Sequence, residues 1–173
     1  AAWVQAVGSI LAIVAGFATV AWQTSQAQKK QKKEREDRAL VVAFRISVWL
    51  GEVSARLQLV AAKFNHIQHL NKQAEPNAFA DHLKLNPVIR IQDVLPDLHF
   101  LKNGSGDVVQ LDCHIRFWDA WLDQVSDRHQ WDAAQQAETF DNAAKQLANL
   151  QNLQRNAVRH IEPVINGGVR LER

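Results

Sequence analysis

Seven histidines, one cysteine and a set of arginines are the residues of this chain with the clearest capacity for chemistry. Most of them form no working pattern. There is no glycine-rich phosphate loop, no Gly-x-Ser-x-Gly, no Cys-x-x-Cys and no His-Glu-x-x-His, and no residue pattern calls for a cofactor. His66 and His69 stand i,i+3 on a predicted helix and could share a metal. No carboxylate or cysteine stands near them at ligand spacing, so a pair of surface histidines is the simpler reading. Cys113-His114 has the order of a nucleophile and its base, yet adjacent residues on a helix point about 100° apart. Cys113 reads instead as a small residue near the core. The run that stands out is Arg155-Asn156-Ala157-Val158-Arg159-His160. A histidine can move protons near neutral pH. An arginine can hold a phosphate and offset its developing charge, and Asn156 would be a polar orienting residue. Residues five apart lie about 140° around a regular helix. One copy therefore does not present Arg155 and His160 on one face; two apposed copies, or a distorted helix, would. The plain alternative is that Arg155 and Arg159 neutralise a helix C-terminal dipole and His160 caps it.

The elements that must carry these residues are helices. Apolar residues at Ala39, Ala43, Ile46, Leu50, Val53, Leu57, Val60, Phe64 and Ile67 alternate spacings of four and three, the heptad stripe of one long helix ending near Asn71. Pro76 reads as confirming the stop. Asn77 would cap a short helix holding Phe79 and Leu83, broken by Asn86-Pro87. Asp93 reads as a further start and Lys102-Asn103-Gly104 as its end, with Leu95, Leu98 and Leu101 facing the core. Asp107 opens the next helix, with Val108, Leu111, Ile115, Trp118, Leu122 and Val125 inward. The last begins near Trp131 and runs through Ala133, Ala137, Phe140, Ala144, Leu147 and Leu150 to Ala157 and Ile161, ending at Pro163 or at Gly167-Gly168. No segment alternates with period two over a strand's length, so the expectation is an all-α bundle without a sheet.

Ahead of this bundle, Trp3 to Trp22 carries no charged residue. Twenty residues of helix span roughly 30 Å, the thickness of a bilayer's hydrocarbon core, and the two indoles suit its interfaces. Lys29, Lys30, Lys32, Lys33, Arg35 and Arg38 follow, and no positive charge precedes. The positive-inside rule then sets the N-terminus outside and the C-terminal side in the cytoplasm. A cleaved signal peptide would carry its charges first. The plain role of the lysines is to fix topology while lying on lipid headgroups, with nucleic acid as the other anion they could meet. Gly8, Ala12 and Gly16 recur every fourth residue, a small-residue stripe that lets helices approach closely and predicts a homo-oligomer. The organisation read from the chain is thus a transmembrane helix over 1–22, a basic juxtamembrane helix over 23–38 and a cytoplasmic helical domain over 39–173.

The totals agree. A net charge of +2 gives no general case for nucleic-acid binding. A single cysteine rules out an intrachain disulfide and fits a reducing compartment. The sequence has no methionine, which implies at least one residue ahead of Ala1.

Arg155-Asn156-x-x-x-His160 on the last helix of an all-α chain resembles the signature of HEPN domains. The resemblance implies a helical bundle that dimerises, with the arginine and histidine of two copies meeting to cut RNA without a metal, the RNA's own 2′-hydroxyl acting as nucleophile. A membrane helix ahead of such a bundle looks like the membrane-anchored HEPN-like accessory proteins of RNA-targeting (type VI-B) CRISPR systems. That likeness implies a pore-like homo-oligomer in the inner membrane that strengthens antiphage defence, with an RNA-guided CRISPR effector as a possible partner. Three functions follow: an oligomeric membrane effector, a membrane-tethered ribonuclease, and a scaffold that holds a partner protein through the heptad stripe.

Overall fold

The structure, a computed structural model, describes residues 2–69, 75–85, 91–101, 104–128 and 130–170, with side chains described from residue 15 to residue 167 within those ranges. Among the described residues every regular element is helical, so the protein is all-α. The order is α1 (Ala2–His69), α2 (Pro76–Leu83), two 3-10 turns (Ile91–Asp93 and Leu95–Phe100), α3 (Ser105–Ser126) and α4 (Ala133–Arg170). The chain divides into two compact units, Ala1–Arg38 and Ala39–Arg173.

The first unit is helix throughout its described length, and its side chains from residue 15 to residue 38 are exposed. Phe17, Val20 and Trp22 are 73%, 60% and 64% exposed. The hydroxyls of Thr19 and Thr24 donate to the carbonyls of Ala15 and Val20, both at 2.8 Å. A threonine can thereby sit in an apolar helix without an unmatched polar atom. Among the described residues no helix is long and apolar enough to cross a membrane. Trp3, Gly8 and Ala12, which fall in the expected span, lie outside the residues whose side chains are described.

The second unit holds the core. The stripe expected on α1 is buried as read: Ala43, Ile46, Leu50, Val53, Leu57, Val60 and Phe64 are all at most 4% exposed. This stripe packs within its own chain, because Phe64 lies against Phe79 of α2 (6.4 Å between ring centroids) and Phe140 of α4 (5.7 Å). Trp131 closes this aromatic group at 5.4 Å from Phe79. On α3, Val108, Leu111, Ile115, Trp118, Leu122 and Val125 are buried, also as read. Each such side chain contributes about 1.5–3 kcal/mol by leaving water.

Polar links tie α2 to its neighbours. The Trp118 indole N–H donates to the carbonyl of Leu83 (2.9 Å). Asp119 accepts from the Leu85 N–H (2.9 Å), and Arg56 donates to the Leu85 carbonyl (2.6 Å). Lys84 reaches Asp123 at 2.7 Å, and that hydrogen bond raises its ammonium above the ordinary range against the opposing effect of burial.

Several boundaries differ from expectation. Pro76 opens α2 at its first position instead of confirming the end of the helix before it; a missing N–H is harmless where no helical acceptor exists. Asn77 is not the cap, and its side chain accepts from the Ser126 hydroxyl at 3.1 Å. Asp93, read as a helix start, instead closes the first 3-10 turn, and the stretch after it is the second, Leu95–Phe100, with Leu98 and Leu101 buried as expected. The start of α4 is fixed by a reciprocal cap: Asp132 accepts from the Gln135 N–H (2.8 Å) while Gln135 accepts from the Asp132 N–H (3.2 Å). Neither Pro163 nor Gly167 ends α4, which runs through both. The inward residues of α4 include Thr139 and Ala143, whereas Ala133, Ala137 and Ala144 are exposed.

Candidate active site at His160

Helix α4 holds the Arg-Asn-x-x-x-His run by burying Ala157 and Ile161, 0% and 1% exposed. Those two anchors turn Arg155, Asn156, Arg159 and His160 toward solvent. The start of α3 comes close at this point. Gly104, the residue before α3, has φ +89°, a conformation that suits glycine. A Cβ there would lie 2.9 Å from the Cβ of His160 and 3.3 Å from Cδ1 of Ile161. Glycine is therefore what lets the two segments meet, and Val108 N–H donates back to the Gly104 carbonyl (3.1 Å) to begin the helix.

Asp107, in the first turn of α3, then reaches across to α4. Its Oδ2 lies 2.6 Å from Nδ1 of His160. An ionised carboxylate can only accept, so Nδ1 carries a proton, and in the neutral ring Nε2 keeps its lone pair. The imidazole side chain is 51% exposed and the carboxylate 27%. An oriented base with an open nitrogen results, on a helix held by the core. A carboxylate also suits the first turn of α3, where the helix dipole is positive. Because α4 continues to Arg170, His160 is not a C-terminal cap.

Arg155 stays apart from this pair. Its guanidinium donates to the side-chain oxygen of Asn152 (2.7 Å) and to the Gln151 carbonyl (3.3 Å), one turn back along its own helix. Arg155 and His160 are separated by the roughly 140° of a five-residue helical step, so a single chain does not assemble the arginine and the histidine.

The other candidates stand separately. Cys113 is exposed, correcting its expected place near the core. His114 is turned to the Gln110 carbonyl at 2.8 Å. With Phe117, Gln146, Asn149 and Leu150, these two line an open groove of about 530 Å³ between α3 and α4. His66 and His69 lie on the exposed side of α1. Among the described residues no group of three or more His, Cys, Asp or Glu could hold a metal. Gly16 has open space around it, and Trp22, Lys29, Lys30, Lys32 and Lys33 are exposed. Lys32 approaches Glu36 at 3.8 Å.

No family model, curated protein or solved structure matches this chain. The residue that reading along the chain overlooked is Asp107. Its signal in the sequence, an acid at a helix start, says nothing about a histidine 53 residues later.

Proposed function

We propose that this chain is an oligomeric effector anchored in the inner membrane, an accessory protein of RNA-targeting antiphage defence whose assembly perturbs the bilayer like a pore. The observation that carries the anchor is the exposure of Phe17, Val20 and Trp22, at 73%, 60% and 64%, on a helix whose residues 3–22 include no charge. Three large apolar groups exposed on one helical segment call for lipid or a second helix. The cations from Lys29 to Arg38 suit the cytoplasmic headgroups beyond it. Self-association is supported by the spacing of Gly8, Ala12 and Gly16. The defence setting, and an RNA-guided effector as partner, rest on the resemblance to HEPN-like accessory proteins. The test is membrane extraction followed by sizing. The chain should resist alkaline carbonate, and in detergent it should be a particle of several copies that Gly8→Leu/Gly16→Leu reduces. Release by carbonate sinks the anchor, and a monomer sinks the effector.

The second reading is a membrane-tethered, metal-independent ribonuclease, favoured by the 2.6 Å contact of Asp107 with His160. Arg155 of one copy would serve His160 of another. Single-stranded RNA incubated with the purified chain in a chelator should yield 2′,3′-cyclic phosphate ends, and His160→Ala should abolish cleavage while leaving particle mass unchanged.

A further inference from the structure

We infer that Asp107 is the positioning residue of an RNA-cleaving site, holding His160 in the one neutral tautomer that presents Nε2 as a proton acceptor; this rests on the ribonuclease reading. Three observations meet here. The Oδ2–Nδ1 distance of 2.6 Å is that of a short, charge-assisted hydrogen bond. The two partners come from different helices, both fixed in the core: Val108 and Leu111 anchor α3 beside Asp107, and Ala157 and Ile161 anchor α4 beside His160. Their approach depends on Gly104, where any Cβ would meet His160. A ring held from one side by a buried scaffold and open on the other is arranged for proton transfer, because a base must be oriented before its basicity counts.

The substrate class is that of the ribonuclease reading. It is single-stranded RNA, whose 2′-hydroxyl is both the proton donor and the nucleophile. Nε2 takes the 2′-hydroxyl proton. The 2′-oxygen bonds to the adjacent phosphorus, the bond from phosphorus to the 5′-oxygen breaks, and that oxygen takes a proton from water. The products are a 2′,3′-cyclic phosphate and a 5′-hydroxyl, and the imidazolium returns its proton to solvent. Asp107 touches no reacting atom. It sets which ring nitrogen is bare. An amide at position 107 could instead donate to Nδ1 and leave the proton on Nε2, the wrong tautomer for a base.

The experiment uses the full chain in detergent, with ¹⁵N-labelled histidine and His160 assigned by the signal that His160→Gln removes. Above neutral pH the ring should show a protonated Nδ1 and a bare Nε2. Asp107→Asn should shift it toward protonated Nε2 and slow cleavage of a labelled single-stranded RNA by about 10²-fold or more. Asp107→Glu should recover part of the rate. A wild-type ring protonated at Nε2 overturns the assignment without any variant. So does Asp107→Asn cleaving at the wild-type rate, and that result leaves the ribonuclease reading standing. A wild-type chain that cleaves no RNA removes the reading and the assignment together.

Discussion

Helix α1 carries two apolar stripes over residues 41–64, and they meet opposite fates. The inner one, from Ala43 to Phe64, is at most 4% exposed. The outer one holds Val41, Phe44, Val48 and Leu59, exposed by 57%, 62%, 50% and 56%. Val41, Phe44 and Val48 step by three and four residues as the inner stripe does, and Leu59 returns to the same face eleven residues on. Periodicity tells which side chains share a face; the partner decides which face is core. Helices α2 and α4 supply aromatic rings for the inner face, and nothing described in this chain covers the outer one.

Substitutions can sharpen that contrast or dissolve it. The largest expected loss is at the core's centre. Trp118→Ala removes a fully buried indole and strands the Leu83 carbonyl, for about 3–5 kcal/mol in denaturant unfolding. A loss below about 1 kcal/mol would mean that α2 is not seated on α3. On α1 itself the two stripes can be compared with one chemistry. Leu50→Ala should destabilise by about 2–5 kcal/mol, whereas Leu59→Ala should change stability by no more than about 0.5 kcal/mol. Equal losses would erase the distinction between the faces.

A smaller effect is expected where α3 meets α4. Gly104→Ala must take φ +89° and place a Cβ 2.9 Å from that of His160. The cost should be about 1–3 kcal/mol in thermal unfolding, and a stabilised variant would show that the approach is looser than drawn. The smallest is Lys84→Ala, worth less than about 1 kcal/mol because the ammonium is partly solvated. Its hydrogen bond to Asp123 raises the folded-state value above the ordinary 10.5. The contribution is therefore complete below 10.5 and disappears as pH climbs through the raised value. Unfolding curves of wild type and variant should keep a constant gap from neutral pH upward and converge only in strong alkali.

Much of this was readable in the residues, for reasons that differ by helix. The inner stripe of α1 and the buried face of α3 are strongly patterned, with Leu, Ile, Val and Trp set against charges, and the inward apolar residues of α3 are all legible, the buried Asp112 being the exception. Helix α4 is rich in alanine, glutamine and asparagine, and alanine suits either environment. The pattern pointed to Ala144, where packing chose Ala143. The prolines misled because their meaning depends on position: Pro76 starts a helix, and Pro163 is tolerated inside one. The site was half legible. His160 stands in a recognisable motif, but Asp107 belongs beside it only because two helices cross there, and spacing along a chain does not encode a crossing.

The order of synthesis gives the inner stripe of α1 a further meaning. Phe64 rests on Phe140, and the core that both belong to extends along α4 to Ile161. Roughly 100 residues must therefore leave the ribosome after Phe64 before the cover is complete, a delay of about 5–20 s at ordinary elongation rates. For that interval the nascent chain displays both apolar faces of α1 at once. A chaperone or the bilayer surface is the natural shelter, and a message truncated before α4 would yield a product bound for proteolysis.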